Sequence, residues 1–473
     1  MSDFPQPGSH VHLIAVCGVG MASLAGLLQS RGYRVTGSDQ NIYPPMSTYL
    51  KDIGVDVLPG FCPEHVRPRP DLVVIGNAVS RANPEAQAVL EQNIPYISFP
   101  QALGRFLIGS RSSLVIAGTH GKTTTSALAA WAWTSAGLEP GFFVGGVPVN
   151  FDSGWKVGAG NYVVIEGDEY DTAFFDKGPK FLHYRPGNVI LTSIEFDHAD
   201  IYRDLDHVKS AFLRLMEIIP KDGALVVCAD YPAATEIAAA ADCRRITYGD
   251  GADADWQAAN LEYCKGRTFF EPNYHGKSDG RIEVAVIGRH NVKNALAVYA
   301  LGRELGIERE KLLDGFRTFA GIKRRQEIRG EKRGVLVIDD FAHHPTAVRE
   351  TLEAVRAAYK GRTLWAVFEP RSNTSKRNIF EQEFVEALAL ANRIIVAAVY
   401  QPEKIPEGER LSVEHVVSGI NRRCGDNRAR AFANAAEIAS VIAREARCGD
   451  VVLVMSNGGF DNIHEKILNA LAT

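Results

Sequence analysis

Residues Val115–Thr125, VIAGTHGKTTT, decide how the rest of the chain is read. The stretch closes in Gly-Lys-Thr, as a phosphate-binding loop does, yet the G-x-x-x-x-G-K-[ST] pattern wants its first glycine where Ile116 stands. Leu114–Ala117 reads as a short apolar strand, and Thr123–Trp133, good helix formers with apolar spacing, as a helix. Gly118, Thr119, His120, Gly121, Lys122, Thr123 and Thr124 therefore occupy the turn between them. Binding a nucleotide there requires glycine for close backbone approach, amides facing phosphate oxygens, a lysine for the terminal phosphates and a hydroxyl for Mg²⁺. Gly118, Gly121, Lys122 and Thr123 supply all four. The loop is shorter than the common form, not broken.

Working outward, the strand Tyr162–Ile165 runs into Glu166, with Asp168, Glu169 and Asp171 close behind. The next strand ends in Glu195-Phe196-Asp197-His198. A hydroxyl from Thr123, a carboxylate from Glu166 and an imidazole from His198 form a candidate set for two Mg²⁺ ions, one on the phosphates and one on an oxygen acceptor.

A chain of 473 residues exceeds what one core supports. Apolar strands alternating with helical patterns predict parallel α/β sheets in three domains, residues 1–108, 109–327 and 328–473. The first opens with strand, Gly18-Val19-Gly20-Met21-Ala22-Ser23 and helix, with Asp39 closing the next strand. This nearly reproduces a dinucleotide fingerprint, but its third glycine is Ser23. Such a turn binds a nucleotide diphosphate of any kind, or serves packing alone. A nicotinamide dehydrogenase reading would leave the phosphate loop unexplained. A phosphate-loop switch that moves a partner predicts ATP hydrolysis without a second substrate.

Lys+Arg 52 against Asp+Glu 56 leaves a net charge of −4, with no basic patch to attract nucleic acid or anionic lipid. No leader pattern opens the chain and no apolar run reaches the roughly 20 residues of a membrane helix, so the expected setting is cytoplasmic. Seven cysteines contain no C-x-x-C pair, which points to free thiols in a reducing compartment. Oligomeric state is not written in the sequence.

G-T-H-G-K-T, E-G-D-E-Y-D, E-F-D-H-A-D, G-R-H-N-V-K-N at 288–294, R-R-Q-E at 324–327 and D-D-F-A-H-H-P at 339–345 together resemble the ordered motifs of the Mur ligases. The resemblance covers the whole chain. It implies a Rossmann-like N-terminal domain for UDP-N-acetylmuramate, a P-loop ATPase central domain and a Rossmann-like C-terminal domain for the peptide. The segments NIYPPMSTYL, GDEYDTAFFDKGPKFLHY, EFDHADIY, EPRSNTSK and MSNGGF resemble the branch that joins the cell-wall tripeptide L-Ala-γ-D-Glu-meso-diaminopimelate to UDP-N-acetylmuramate. The alternative is the branch that adds L-alanine. A carbamylated lysine, used by several sister ligases, has no counterpart here.

The resemblance also implies roles. Lys122, Glu166, His198, Arg325 and His344 would carry catalysis through an acyl phosphate, with the metal, Lys122 and His344 as cationic stabilisers of the oxyanion. Asn291, Asn294, Arg325 and Asp340 would join the loop in binding ATP with Mg²⁺. Gly18, Gly20, Met21 and Asp39 would hold the nucleotide sugar. Arg371, Ser372 and Asn373, after a strand ending at Phe368, and Ser456 and Asn457, after one ending at Met455, would line the diaminopimelate end, where an arginine fork suits a carboxylate.

Overall fold

A computed structural model describes residues 4–264 and 266–472. Three sheets organise it. The first is wholly parallel, in the order Asp56–Pro59, Arg34–Asp39, His10–Ile14, Leu72–Ile75, Tyr96–Ser98. The chain reverses its direction of winding beside His10–Ile14, so the turn at Gly18 and the helix Val19–Ser30 face the crevice where such sheets take ligands.

The second sheet has eleven strands. Its parallel part places the phosphate-loop strand, Ser112–Ala117, between Tyr162–Gly167, which delivers Glu166, and Pro186–Leu191, which leads to Thr192 and Ser193. Runs such as LVIA, YVVI and NVIL fill it because both faces are covered by helices. Beyond Arg244–Gly249 the sheet changes character. Trp256–Cys264 and Arg267–Tyr274 form a long antiparallel hairpin, extended by Lys277–Ser278 and Ile282–Val284. The expectation of parallel units throughout is corrected here. Strands that pair through a tight turn need no crossover helix, and the polar-apolar alternation of EYCKGRTFFE carries that signal.

The third sheet runs Glu327–Lys332, Val335–Asp340, Val451–Met455, Leu364–Phe368, Arg393–Ala397, Ala429–Phe432. All its pairs are parallel except the edge hairpin, where Glu327 lies opposite Asp339. One continuous apolar core joins the first sheet to a face of the second, from Val11 and Leu24 through Phe106 to Val115 and Val189. The third sheet instead has clusters of its own, around Phe368 and Leu388 on one face and Trp365 and Ile442 on the other. Between the second and third sheets the backbone takes left-handed φ at Arg324 (63°) and Gln326 (51°), a conformation non-glycine residues adopt at a cost of about 1–2 kcal/mol each.

Candidate active site

The phosphate loop comes from local necessity. Gly121 is the N-cap of the helix Lys122–Ser135 at φ 79°, and a Cβ there would lie 2.6 Å from Asn294 Oδ1. The loop is anchored to the neighbouring strand end: Thr119 N donates to Ser193 O (2.9 Å) and His120 N to Ser193 Oγ (2.9 Å). The first-turn amides of the helix are left facing the crevice, a ready anion site.

Lys122 lies buried beneath the loop. Its Nζ donates to Gly118 O (2.5 Å) and Glu169 Oε2 (2.8 Å). Burial opposes its charge, but Glu169 and Asp168 outweigh burial and hold its pKa above the usual lysine value. Thr123 Oγ1 donates to Glu166 Oε1 (2.9 Å), while Glu166 Oε2 accepts from Gly145 N (2.7 Å). Burial, then the nearby Asp168, raise the Glu166 pKa. His198 Nε2 stands 3.5 Å from Glu169 Oε1. Burial lowers its pKa, but the hydrogen bond and charge of Glu169 prevail and raise it. Glu166, Asp168 and Glu169 thus crowd around Lys122, with Lys180 3.0 Å from Asp168 on the far side. A hydroxyl, several carboxylate oxygens and an imidazole suit a hard divalent cation such as Mg²⁺.

The third sheet reaches this centre through the junction. Arg325 Nη2 donates to Thr123 Oγ1 (3.4 Å) and its guanidinium stacks 4.7 Å from the Phe341 ring. Asp340 accepts from Gln326 N (2.9 Å) and Ala342 N (2.8 Å), which ties the segment between the second and third sheets to the end of Val335–Asp340. Asn294 donates to Asn291 Oδ1 (3.2 Å), and Asn291 donates to Ile287 O (2.9 Å) and Gln326 Oε1 (3.3 Å). A cavity of about 70 Å³ is lined by Gly121, Thr123, Thr124, Asn291, Arg325 and Asp340. The cavity thus borders residues of both the central and third domains, whereas Gly118, Thr119 and Lys122 of the loop do not line it.

His344 differs from its expected role as a cation. Its side chain caps the helix Pro345–Ala358, Nδ1 accepting from Thr346 N (3.3 Å), and the ring stacks with His120. Burial, then His120, push its pKa down to about 4, so it is neutral near pH 7 and offers the oxyanion no charge. His343, one residue earlier, faces Asp197 at 3.9 Å instead. The shift has a consequence for stability. The unfolded histidine titrates near 6.5 and the folded one near 4, so the unfolded state takes up the proton first and stability falls as pH drops through that window. His344 alone should cost about 2 kcal/mol at pH 5 relative to pH 7. Thermal unfolding is expected to shift to lower temperature between those pH values; a flat profile contradicts this.

In the first domain, Gly18 sits at φ −66°, ψ 142°, and a Cβ there would meet nothing closer than Ala15 O at 3.8 Å, so its bareness leaves the helix end open. Gly20 serves packing, because a Cβ would press on Phe99 at 3.2 Å. The Met21 side chain is buried in the core. Asp39 uses both oxygens internally, accepting from Cys17 N and Asn41 N (2.8 Å each). It shapes the turn that leads into the helix Val19–Ser30.

At the peptide end, Arg371 stacks 3.6 Å from the Tyr400 ring and pairs with Glu369 (3.5 Å), which also accepts from Ser456 Oγ (2.5 Å). Burial raises the Glu369 pKa. Asn457 Oδ1 is buried without a partner, a free acceptor beside Arg371 and Gly458. Asn373 points elsewhere, donating to Asp200 of the central domain (3.0 Å). Three participants carried no role in the sequence reading: Glu169, which holds Lys122; Arg324, which donates to Ser456 O and Gly458 O; and Thr374, bonded to Asp197.

All seven cysteines are free. Among the described residues no helix is long and apolar enough to cross a membrane.

Comparison with known proteins gives three family matches in chain order: the Mur ligase family catalytic domain over residues 10–111, the Mur ligase middle domain over 116–302 and the Mur ligase glutamate ligase domain over 324–458. The chain is 40% identical to the UDP-N-acetylmuramate–L-alanyl-γ-D-glutamyl-meso-2,6-diaminoheptandioate ligase of Escherichia coli K12, over 98% of each protein. A UDP-N-acetylmuramate–L-alanine ligase of Endomicrobium trichonymphae is 33% identical, over 97% of this chain and 98% of that one. A crystal structure of a murein peptide ligase from Psychrobacter arcticus superposes with a TM-score of 0.71 at 35% identity, covering 98% and 99% of the two chains. With family domains matched in order from residue 10 to residue 458 and a bacterial ligase 40% identical along nearly the whole length, the protein belongs to the Mur ligase family.

Proposed function

We propose that the protein uses ATP to join the tripeptide L-Ala-γ-D-Glu-meso-diaminopimelate to UDP-N-acetylmuramate. The observation that carries the choice of amine is graded likeness. Two ligases named for that tripeptide are 38–40% identical to the chain, whereas six named for L-alanine are 31–34% identical over similar lengths. ATP, as substrate, would lie on the loop Gly118–Thr124, its terminal phosphates beside Lys122. Asn291, Asn294 and Asp340 border the same cavity side.

Thr123, Glu166 and His198 would hold Mg²⁺, whose charge would offset the negative charge developing on the phosphoryl group. The chain's own part is positional. The amides of the first helical turn would fix the phosphates, and Lys122, charged among its carboxylates, would supply positive charge to the oxygens on which negative charge accumulates. The muramate carboxylate would attack the γ-phosphorus, giving an acyl phosphate and ADP. The free amine of the tripeptide would then attack that carbonyl, expelling phosphate. Arg325, at the boundary with the third domain, would complete the cation set when that domain is docked, and the docked domain would shield the anhydride from water. Arg371 and Asn457 would hold the far carboxylate and amine of diaminopimelate. The nucleotide sugar would enter over Gly18.

The test is direct. Incubated with ATP, Mg²⁺ and UDP-N-acetylmuramate, the protein is expected to form the tripeptide conjugate, identified by mass, at a rate at least about 100-fold above that with free L-alanine, because L-alanine has no distal carboxylate to reach Arg371 and would leave that site unpaired. Equal use of L-alanine would overturn the choice of amine.

A further inference from the structure

The peptide-facing turn of the third domain and the loop that carries His198 share hydrogen bonds, and these bonds fix a histidine held in an unfavourable backbone conformation. His198 has φ 52°. For a non-glycine residue that region is disfavoured unless the surroundings impose it. Three groups impose it. The carbonyl of His198 accepts from Ile201 N (2.8 Å) and Tyr202 N (2.9 Å), and its amide donates to Asp197 Oδ1 (2.7 Å). The same oxygen, Asp197 Oδ1, accepts from Thr374 Oγ1 (2.7 Å) across the domain boundary, with both side chains buried. A second bond, from Asn373 Nδ2 to Asp200 Oδ2 (3.0 Å), lies beside it.

Thr374 is delivered by a rigid turn. Ser375 Oγ accepts from Arg371 N (3.1 Å) and Ser372 N (3.0 Å), the Ser372 and Ser375 hydroxyls are 2.8 Å apart, and Lys376 N closes on Ser372 O (3.1 Å). Arg371 opens that turn and Thr374 sits three residues on, so whatever orients Arg371 also sets the hydroxyl that reaches Asp197.

Building on the ligase reading above, we propose that Asp197 is the positioning residue for His198 and that Thr374 completes it from the third domain. Peptide binding and cation binding at His198 are then coupled through one carboxylate oxygen, because docking of the Arg371–Lys376 turn favours the backbone state that aims the imidazole at Glu169. Without the docked turn, Asp197 loses its donor from the third domain and His198 can relax to an ordinary φ. The coupling is reciprocal.

Mn²⁺ serves as the probe, its binding to the full-length protein with a non-hydrolysable ATP analogue and tripeptide followed by electron paramagnetic resonance. Thr374→Val is expected to weaken one class of Mn²⁺ site by about fivefold, a coupling within the usual range, and leave the other unchanged. In turnover it should raise the Mg²⁺ half-saturation by a similar factor, with the KM for ATP at saturating Mg²⁺ within about twofold of the parent. Thr374→Ser restores the hydroxyl and should restore both readouts. Should Thr374→Val fail to fold, Asp200→Ala, at an exposed position, removes the second bond and is expected to move Mn²⁺ affinity in the same direction by about twofold. Unchanged Mn²⁺ affinity in the folded variants overturns the proposal, even if turnover falls. Absence of conjugate from the parent protein would instead overturn the ligase reading, since Mn²⁺ binding is measured without turnover.

Discussion

Lys122→Met is expected to abolish nearly all amide synthesis, lowering kcat by about 10³-fold, the effect of removing one preorganised charge donor from a phosphoryl-transfer site. The lysine is 9% exposed, and its ammonium is held between Gly118 O and Glu169 rather than free to wander, so no other cation takes its place. Arginine is no substitute. A planar fork cannot make the compact pair of contacts the ammonium makes beneath the loop, and Lys122→Arg is expected to recover less than about a tenth of the activity. Removal also leaves Glu169, 2% exposed, with only His198 (3.5 Å) as a cationic partner, at a cost of up to about 3–5 kcal/mol unless the carboxyl takes up a proton. At present burial works against the Glu169 anion, but Lys122, and after it His198, hold its pKa below the usual value; in the variant the larger part of that support is gone. Steady-state kinetics checks the first effect and thermal unfolding the second. Retention of even a tenth of parental kcat in Lys122→Met would refute the role.

Gly118→Ala should weaken ATP binding by about 100-fold, the cost of misplacing a binding group by about 1 Å. Gly118 has φ 134°, and a Cβ there would lie 2.2 Å from Thr192 Oγ1 and 2.8 Å from Ser193 N and O. Two of those atoms are backbone at the end of the adjoining strand, so the loop must move and not the neighbour. Thr192 Oγ1 donates to Ala117 O (3.2 Å) and His120 O (2.5 Å), and displacing it disturbs both ends of the loop. Equilibrium dialysis with ATP reads the change. An affinity within threefold of the parent would show that the loop does not hold the nucleotide.

The shortened loop was legible because strand, glycine turn and helix are local features, and the structure places Ser112–Ala117 and Lys122–Ser135 around it as the pattern predicts. Glu166 lies near the end of the strand Tyr162–Gly167, as its apolar run suggests, but His198 does not close a strand as expected: the strand ends at Leu191, and residues 192–198 are a loop that carries the imidazole to the same end of the sheet. What the sequence hides is which of several like groups is chosen. EGDEYD offers four carboxyls, and only the path of the chain selects Glu169 for Lys122 and Asp168 for Lys180. HHP offers two imidazoles, and both face the central domain: the helix that begins at Pro345 claims Nδ1 of His344 as its cap while the ring packs on His120, and His343 faces Asp197. Asn373 looks like a substrate contact beside Arg371 and turns out to bond Asp200, because bonds across a domain boundary leave no periodicity to read. The hairpin over 256–274 has a local signal, the polar-apolar alternation of its two strands, which the strand-helix rhythm of the preceding parallel units obscures.

The central claim is that ATP activates the sugar acid's carboxyl as a mixed anhydride before the amine attacks. Oxygen-18 in the carboxylate of UDP-N-acetylmuramate tests it most directly. During a turnover with tripeptide, one labelled oxygen is predicted to appear in the released inorganic phosphate, since the carboxyl oxygen that attacks the γ-phosphorus leaves with it. Unlabelled phosphate alongside full conjugate formation would contradict the account.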